Sequence, residues 1–146
     1  MATAASNKIK YCVVMKAVSF DADTFKIILM QSGFTFNKDT HHGYADVSAS
    51  ELATANGYTA GGATLAGKVI TEDDTDDRTE ITWNNAAWSI ATLPITASGA
   101  IIYDDTVTVS GSVPADPIVG YIDFGGDQTC AVGGTFTVAN IEVRVA

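Results

Sequence analysis

Apolar and polar residues alternate along much of this chain, with a period of two. The alternation is clearest in residues 63–70 and 78–83. In the first segment the residues on the apolar face are Ala63, Leu65 and Val69. In the second segment the residues on one face are Thr79, Ile81 and Trp83. A period of two is typical of half-buried β-strands, so we predict two strands, joined by the turn residues 71–77.

Further strands are predicted where β-branched and aromatic residues lie between Gly, Pro, Asn or Asp. These segments are residues 24–31, 97–105, 117–125 and 134–146. In the last one the apolar residues change phase between Val138 and Ile141, which predicts a bulge or break near Ala139 and Asn140. Short strands at this spacing predict an all-β fold, an antiparallel β-sandwich or jelly roll.

Only residues 46–57 have a helical pattern. Ser48 or Ser50 would cap a short helix there, and Asn56 and Gly57 would end it. No βαβ alternation or internal repeat is present in the sequence, which disfavours a parallel nucleotide-binding sheet. We therefore expect a single β domain over residues 20–146 with one short helix, preceded by an N-terminal arm or first strand over residues 1–19.

Composition narrows the class of protein. The chain has 146 residues, of which 47% are hydrophobic and 17% charged, a balance that favours one folded domain over disorder. Its 17 acidic and 8 basic residues give a net charge of −9, which disfavours nucleic acid as a partner and favours a basic protein surface. The apolar run at residues 11–15 is too short for a signal peptide or a membrane span, so we expect synthesis in the cytoplasm and no membrane partner.

Cys12 and Cys130 lie near opposite ends of the sequence. Their spacing fits neither a disulfide-dense module nor a zinc site. We interpret both as small core residues, and the sequence leaves open whether they pair.

The stretch Gly61–Gly62 poses the first question about chemistry. A phosphate cradle needs glycines that follow a strand and open a helix, whereas here they follow the predicted helix and precede a predicted strand. We therefore interpret this pair as a structural feature that provides positive φ or close backbone packing at the start of a strand.

Two other segments carry residues that bind metals. Residues 72–80 hold six carboxylates, a density that suits Ca²⁺, but they lack the spacing of an EF-hand loop. A solvated hairpin loop is the simpler interpretation, and the sequence leaves Ca²⁺ binding open. His41 and His42 are adjacent, so in an extended segment their side chains point apart, and we interpret them as part of a polar loop.

The sequence contains no recognisable nucleophile motif. The aromatic residues near the predicted strands are expected to be core or interface anchors, with sugar stacking left open: Trp83, Trp88, Tyr103, Tyr121 and Phe124. We therefore assign no catalytic, cofactor-binding or metal-ligating residue and expect a protein that is not an enzyme.

Three segments resemble a family of small virion-associated proteins of tailed bacteriophages. They are residues 21–29, the Y-x-x-G-G motif at 58–62, and residues 119–125, which end in Y-x-D-F-G. The similarity extends over residues 20–139.

The resemblance implies a structural role in the virion and no catalytic residues. We expect a capsid decoration (cement) protein, made in the host cytoplasm, that binds the major capsid protein on the outer head surface and stabilises the expanded shell. A homo-oligomer is expected, with a trimer as one form. The alternatives are a tail, neck or fibre-base component and a carbohydrate-binding β module that uses Trp83 or Trp88.

Overall fold

The structure is a computed structural model and describes residues 2–146. Its one α-helix is α1 (Asn7–Val14), and 3₁₀ turns occupy Tyr44–Asp46 and Ser48–Ser50. The described residues form ten strands: β1 (Ala2–Ala5), β2 (Phe25–Met30), β3 (Ala63–Thr64), β4 (Val69–Asp73), β5 (Arg78–Trp83), β6 (Ala86–Ser89), β7 (Ile95–Asp104), β8 (Ile118–Cys130), β9 (Thr135–Val138) and β10 (Ile141–Val145).

The strands form three antiparallel sheets, which confirms the all-β prediction. A five-stranded sheet has the order β1-β8-β7-β2-β3, a three-stranded sheet β10-β5-β4, and a two-stranded sheet β6-β9. One face of the large sheet shares a core with the smaller sheets and α1. Residues from each layer meet in this core: Ile9, Ile27, Ile81, Ile102, Phe136 and Val143.

The other face of the large sheet is covered by the segment that follows β2. Ile28, Ile101 and Tyr121 form a second cluster there with Val47, and the rings of Phe34 and Phe36 pack against it. The two central strands β2 and β7 are therefore buried on both faces. This explains why residues 27–30 form a continuous apolar run rather than an alternation.

The strand predicted over residues 63–70 is wrong, because the chain bends inside it. The amide of Leu65 donates to the carbonyl of Phe25 (2.8 Å), while the carbonyl of Ala66 accepts from the amide of Asn84 (2.9 Å). The segment thus leaves the large sheet and joins the three-stranded one. Gly67 makes the bend at φ 67°, against the side chain of Asn84. Beyond it Val69, predicted to be buried, is exposed.

The predicted break near Ala139 and Asn140 is confirmed. Asn140 has φ 54° and separates β9 from β10. The facing strand is interrupted at the same level: Trp83 pairs with Ile141, and Ala86 pairs with Val138. The break between β9 and β10 therefore lies opposite the break between β5 and β6. Because both sides of the pair change phase at the same level, the apolar side chains of all four strands still face the core.

The helix predicted over residues 46–57 is also wrong. Only the two 3₁₀ turns form, and the chain is extended at Glu51, where the backbone pairs with Met30. The α-helix lies instead at α1, where Ser6 caps it by accepting from the amide of Lys8 (3.2 Å). Residues 2–5 form β1, so the segment expected to be an arm or a first strand contains a short strand followed by α1. The sequence does not predict α1, because only Ile9 and Cys12 of this helix are buried and two residues do not make a recognisable apolar stripe.

Candidate functional site

A buried carboxylate organises the loops beside the large sheet. Glu51 is 5% exposed, and both of its oxygens accept hydrogen bonds. Its Oε1 accepts from the hydroxyl of Tyr58 (2.6 Å) and the amide of Gly61 (2.7 Å). Its Oε2 accepts from the hydroxyl of Tyr44 (2.6 Å). We call Glu51, Tyr44, Tyr58 and Gly61 the Glu51 clamp.

The Glu51 clamp is tied to the large sheet by its tyrosines. The Tyr58 hydroxyl also accepts from the amide of Leu29 (3.1 Å), and Tyr103 of β7 donates to the carbonyl of Gly61 (2.8 Å). Burial and the bond to Glu51 raise the pKa of Tyr44 to about 12. Burial, followed by the same carboxylate, raises the pKa of Tyr58 well above its ordinary value. Both phenols therefore stay protonated, as donors must.

The glycine pair has the backbone geometry expected from the sequence. Gly61 and Gly62 have φ values of 92° and 75°, which L-residues rarely adopt. Gly62 lies against β2, so a Cβ there would collide with the carbonyl oxygen of Ile27. Gly61 has open space on that side and donates its amide to Glu51.

A second buried carboxylate lies at the end of β7. Asp104 is fully buried, and its Oδ1 accepts from the amide of Thr106 (2.8 Å). Its Oδ2 has no donor among the described residues. Burial and the adjacent carboxyl of Asp23 raise the pKa of Asp104 to about 7. A buried carboxyl group without enough donors retains its proton to a higher pH. We call Asp104, at the end of β7, and Asp23, just before β2, the Asp23–Asp104 pair.

The acidic segment 72–80 forms the β4–β5 hairpin, as predicted. Arg78 lies at its centre and forms ion pairs with Asp73 (3.0 Å), Asp76 (3.0 Å) and Glu80 (2.8 Å). Within residues 2–146, no three His, Cys, Asp or Glu side chains are grouped as a metal site would require.

His41 and His42 lie in the loop after β2 and serve its internal packing. The ring of His41 stacks on Phe34 at 5.6 Å between centroids, and its Nδ1 accepts from the amide of Asn37 (3.1 Å). The Nε2 of His42 lies 2.8 Å from the carbonyl oxygen of Asp39. The two rings thus have separate partners.

Cysteines and tryptophans take mostly core positions. Cys12 is fully buried and Cys130 half-buried, and both are free thiols. Trp83 and Trp88 are 6% and 7% exposed, so neither presents a face on which a sugar could stack. The carbohydrate hypothesis in the form that uses these tryptophans is therefore wrong.

A surface groove of about 590 Å³ lies where β1, β8 and the loop after β2 meet. Phe34 and Phe36 line it and pack on Tyr121, at 5.6 and 5.4 Å between ring centroids. Asp123 and Asp127 bring carboxylates to the same groove, and Asp127 accepts from the hydroxyl of Ser32. The groove thus combines aromatic side chains with hydrogen-bond acceptors, a pairing typical of sites for small polar ligands.

Two exposed apolar patches lie elsewhere on the surface. The first is on α1 and consists of Tyr11, Val14 and Met15. The second is on β4, at the edge of the three-stranded sheet, where Val69 and Ile70 are exposed on opposite faces of the strand. A contiguous exposed apolar patch, such as the one on α1, is a candidate surface for contact with another molecule.

No protein-family model, curated protein or solved structure matches this chain. Among the described residues, no helix is long and apolar enough to cross a membrane.

Sequence reasoning missed the polar contacts that the fold assembles. The Glu51 clamp and the Asp23–Asp104 pair join residues far apart in the chain, so no local spacing indicated them. The groove had a weak signal in the alternation of Phe34, Thr35 and Phe36, which places both rings on one side of an extended segment.

Proposed function

We propose that this protein is a structural component of a bacteriophage virion, a decoration (cement) protein that binds the outer surface of the expanded head. The observation that carries the proposal is the role of the three segments that resemble the phage family. In this fold all three segments belong to the packed framework. Residues 58–62 complete the Glu51 clamp, residues 21–29 contain Asp23 and most of β2, and residues 119–125 lie in β8.

The architecture suits a protein that works through its surfaces. Both faces of the large sheet are covered within the chain, so the fold needs no partner to bury its core. The net charge of −9 favours solubility before assembly and attraction to a basic partner surface. A contact repeated at many equivalent lattice sites would add binding free energy that stabilises the expanded shell.

The test is co-sedimentation with particles of the phage that encodes the protein. Purified protein is mixed with stripped expanded heads, unexpanded heads or isolated tails, and the bound copies per particle are counted. We expect saturable binding to expanded heads alone, at a copy number that matches the lattice symmetry. Binding only to tails would assign a tail, neck or fibre-base role instead, and binding to no particle would overturn the virion proposal.

The groove beside β1 favours a second candidate function, a carbohydrate-binding module. Its aromatic side chains and the carboxylates Asp123 and Asp127 could engage a sugar, although Trp83 and Trp88 could not. A glycan-binding screen tests this, with Phe36→Ala as the variant that removes binding. Phe124→Ala, outside this groove, serves as the control.

A further inference from the structure

The exposed side of α1 is apolar. Val14 is 80% exposed, Met15 56% and Tyr11 40%, and their spacing places them together on the side of the helix away from Ile9 and Cys12. A surface helix normally turns polar residues to water, so this patch suits a contact with another molecule.

Cationic side chains surround this patch, although the protein as a whole is acidic. Lys8, Lys10 and Lys16 lie on or next to α1, and the Lys8 ammonium is 4.5 Å from the centroid of the Tyr11 ring. None of the three forms an ion pair in the described part of the chain. We call α1 with these lysines the basic helix.

The β4–β5 hairpin has the opposite character. Its edge strand exposes Val69 (56%) and Ile70 (43%), and one backbone edge of β4 has no neighbouring strand. Arg78 forms ion pairs with three of the hairpin's carboxylates. The other three form no ion pair within residues 2–146: Glu72, Asp74 and Asp77. Because Val69 and Ile70 are adjacent in the strand, each face of β4 presents one apolar side chain, and Ile70 lies on the same face as Glu72. The hairpin therefore presents an apolar side chain beside uncompensated negative charge.

We propose that copies of this protein associate head to tail, with the basic helix of one copy packing against the β4–β5 hairpin of the next. Apolar surface would meet apolar surface, and unpaired lysines would meet unpaired carboxylates. The occupant is a second copy of this chain because one chain carries both complementary surfaces. Each is exposed, so neither covers the other within a copy.

A contact between two different surfaces is heterologous. Such contacts close into a ring when the rotation between copies allows it, and otherwise extend as a chain. The trimer expected from the phage resemblance would be one closed form. The contact requires no capsid, so it is tested on the protein alone, and the result is separate from that of the head-binding experiment.

Two variants that each block one surface provide the test. Val14→Asp blocks the basic helix and leaves the hairpin intact, while Ile70→Asp does the reverse. We expect wild-type protein to associate in sedimentation velocity and each variant alone to stay monomeric. An equimolar mixture should form a one-to-one dimer and nothing larger, because only one productive contact remains. A contact between identical surfaces would not give this result.

Leu93→Asp is the matched control, since Leu93 is an apolar residue outside both surfaces whose exposure (61%) lies between those of Ile70 and Val14. It should associate as wild type does, and circular dichroism should show all variants folded. The proposal is overturned if wild-type protein is monomeric throughout the micromolar range, or if the mixture of Val14→Asp and Ile70→Asp stays monomeric.

A charge exchange tests the ionic part of the contact. Lys10→Glu or Asp74→Lys alone should weaken association by about tenfold, because each places like charges across the interface. The double variant should recover most of that loss. Equal association in all three variants would contradict the role of charge in this contact.

Discussion

Glu51 and Asp104 place the same chemical group in two buried sites, and the protein accommodates them differently. At Glu51 three donors surround the carboxylate, from two tyrosines and one backbone amide. At Asp104 a single amide donates to one oxygen, the other has no donor among the described residues, and the carboxyl of Asp23 lies nearby. A buried carboxylate is tolerated when donors satisfy it. Where donors are lacking, a proton must take their place.

The two sites therefore differ in what they depend on. The Glu51 clamp depends on the positions of its donors, which hold residues 44–61 against the large sheet. The Asp104 site depends on pH, because the raised pKa of Asp104 means that its proton is lost only near neutral pH. The loop beside Asp23 also holds Ser19, whose amide donates to the Asp23 carboxylate (2.6 Å).

The largest effect should come from Glu51→Ala. It would leave two hydroxyl groups and one amide without their acceptor in a buried site, and each unsatisfied group costs about 1–3 kcal/mol. We expect the free energy of unfolding, measured in urea, to fall by about 4 kcal/mol. Glu72→Ala, at an exposed carboxylate, is the control. A loss no larger than that of the control would show that the Glu51 clamp adds nothing to stability.

The glycine pair offers a matched comparison within the Glu51 clamp. Gly62→Ala would force a Cβ against the Ile27 carbonyl as well as straining a positive φ, so we expect a loss of about 3 kcal/mol. Gly61→Ala meets open space and carries only the backbone strain, about 1 kcal/mol. Equal losses in urea unfolding would mean that close packing against β2 is not what requires glycine at 62.

The pH dependence should come from Asp104. Its pKa of about 7 in the folded protein exceeds that of the unfolded chain, near about 3.9. The folded state therefore keeps a proton that the unfolded state releases, and this contribution to stability is lost as pH rises through about 7. We expect the free energy of unfolding to fall by on the order of 2 kcal/mol between about pH 5 and about pH 8.

Asp104→Asn should flatten that dependence, because an amide does not titrate. Other ionisable groups nearby are Cys12, whose pKa burial raises, with Lys8 beside it, and the Lys26–Asp105 ion pair (2.9 Å). Asp105→Asn is therefore the control for a general charge effect. An unchanged pH profile in Asp104→Asn would contradict the raised pKa of Asp104.

The smallest effect should come from Tyr44→Phe. It removes one donor from Glu51 at a half-buried position that water can reach, so we expect a loss of about 1 kcal/mol. Spectrophotometric titration of the wild type should show a phenol with a pKa of about 12 that is missing in the variant. If the phenol that the variant lacks is instead one that titrates at the ordinary value, the bond to Glu51 is contradicted.

Local patterns predicted those parts of the fold that depend on neighbours in the chain. The β5 strand and the phase change at Asn140 were visible as periodicity, since alternate side chains point to opposite sides of a strand. The β2 and β7 strands were visible as segments rich in β-branched and aromatic residues between turn residues. The bend at Gly67 and the helix α1 were missed. Alternation continues across a bend between two sheets, and a helix with only two buried residues has no stripe to detect.

The candidate sites depend on contacts between residues distant in sequence. Composition already indicated a folded, acidic protein, and the glycine pair already indicated close packing at a strand. The meeting of Asp23 with Asp104, and of Glu51 with Tyr44 and Tyr58, follows from how the sheets align and how loops fold over them. Burial removes water from those groups, so each needs a hydrogen-bond partner or a proton within the protein to avoid a large cost in stability. In the folded protein, hydrogen-bond donors stabilise the carboxylate of Glu51, whereas a retained proton neutralises the carboxyl group of Asp104.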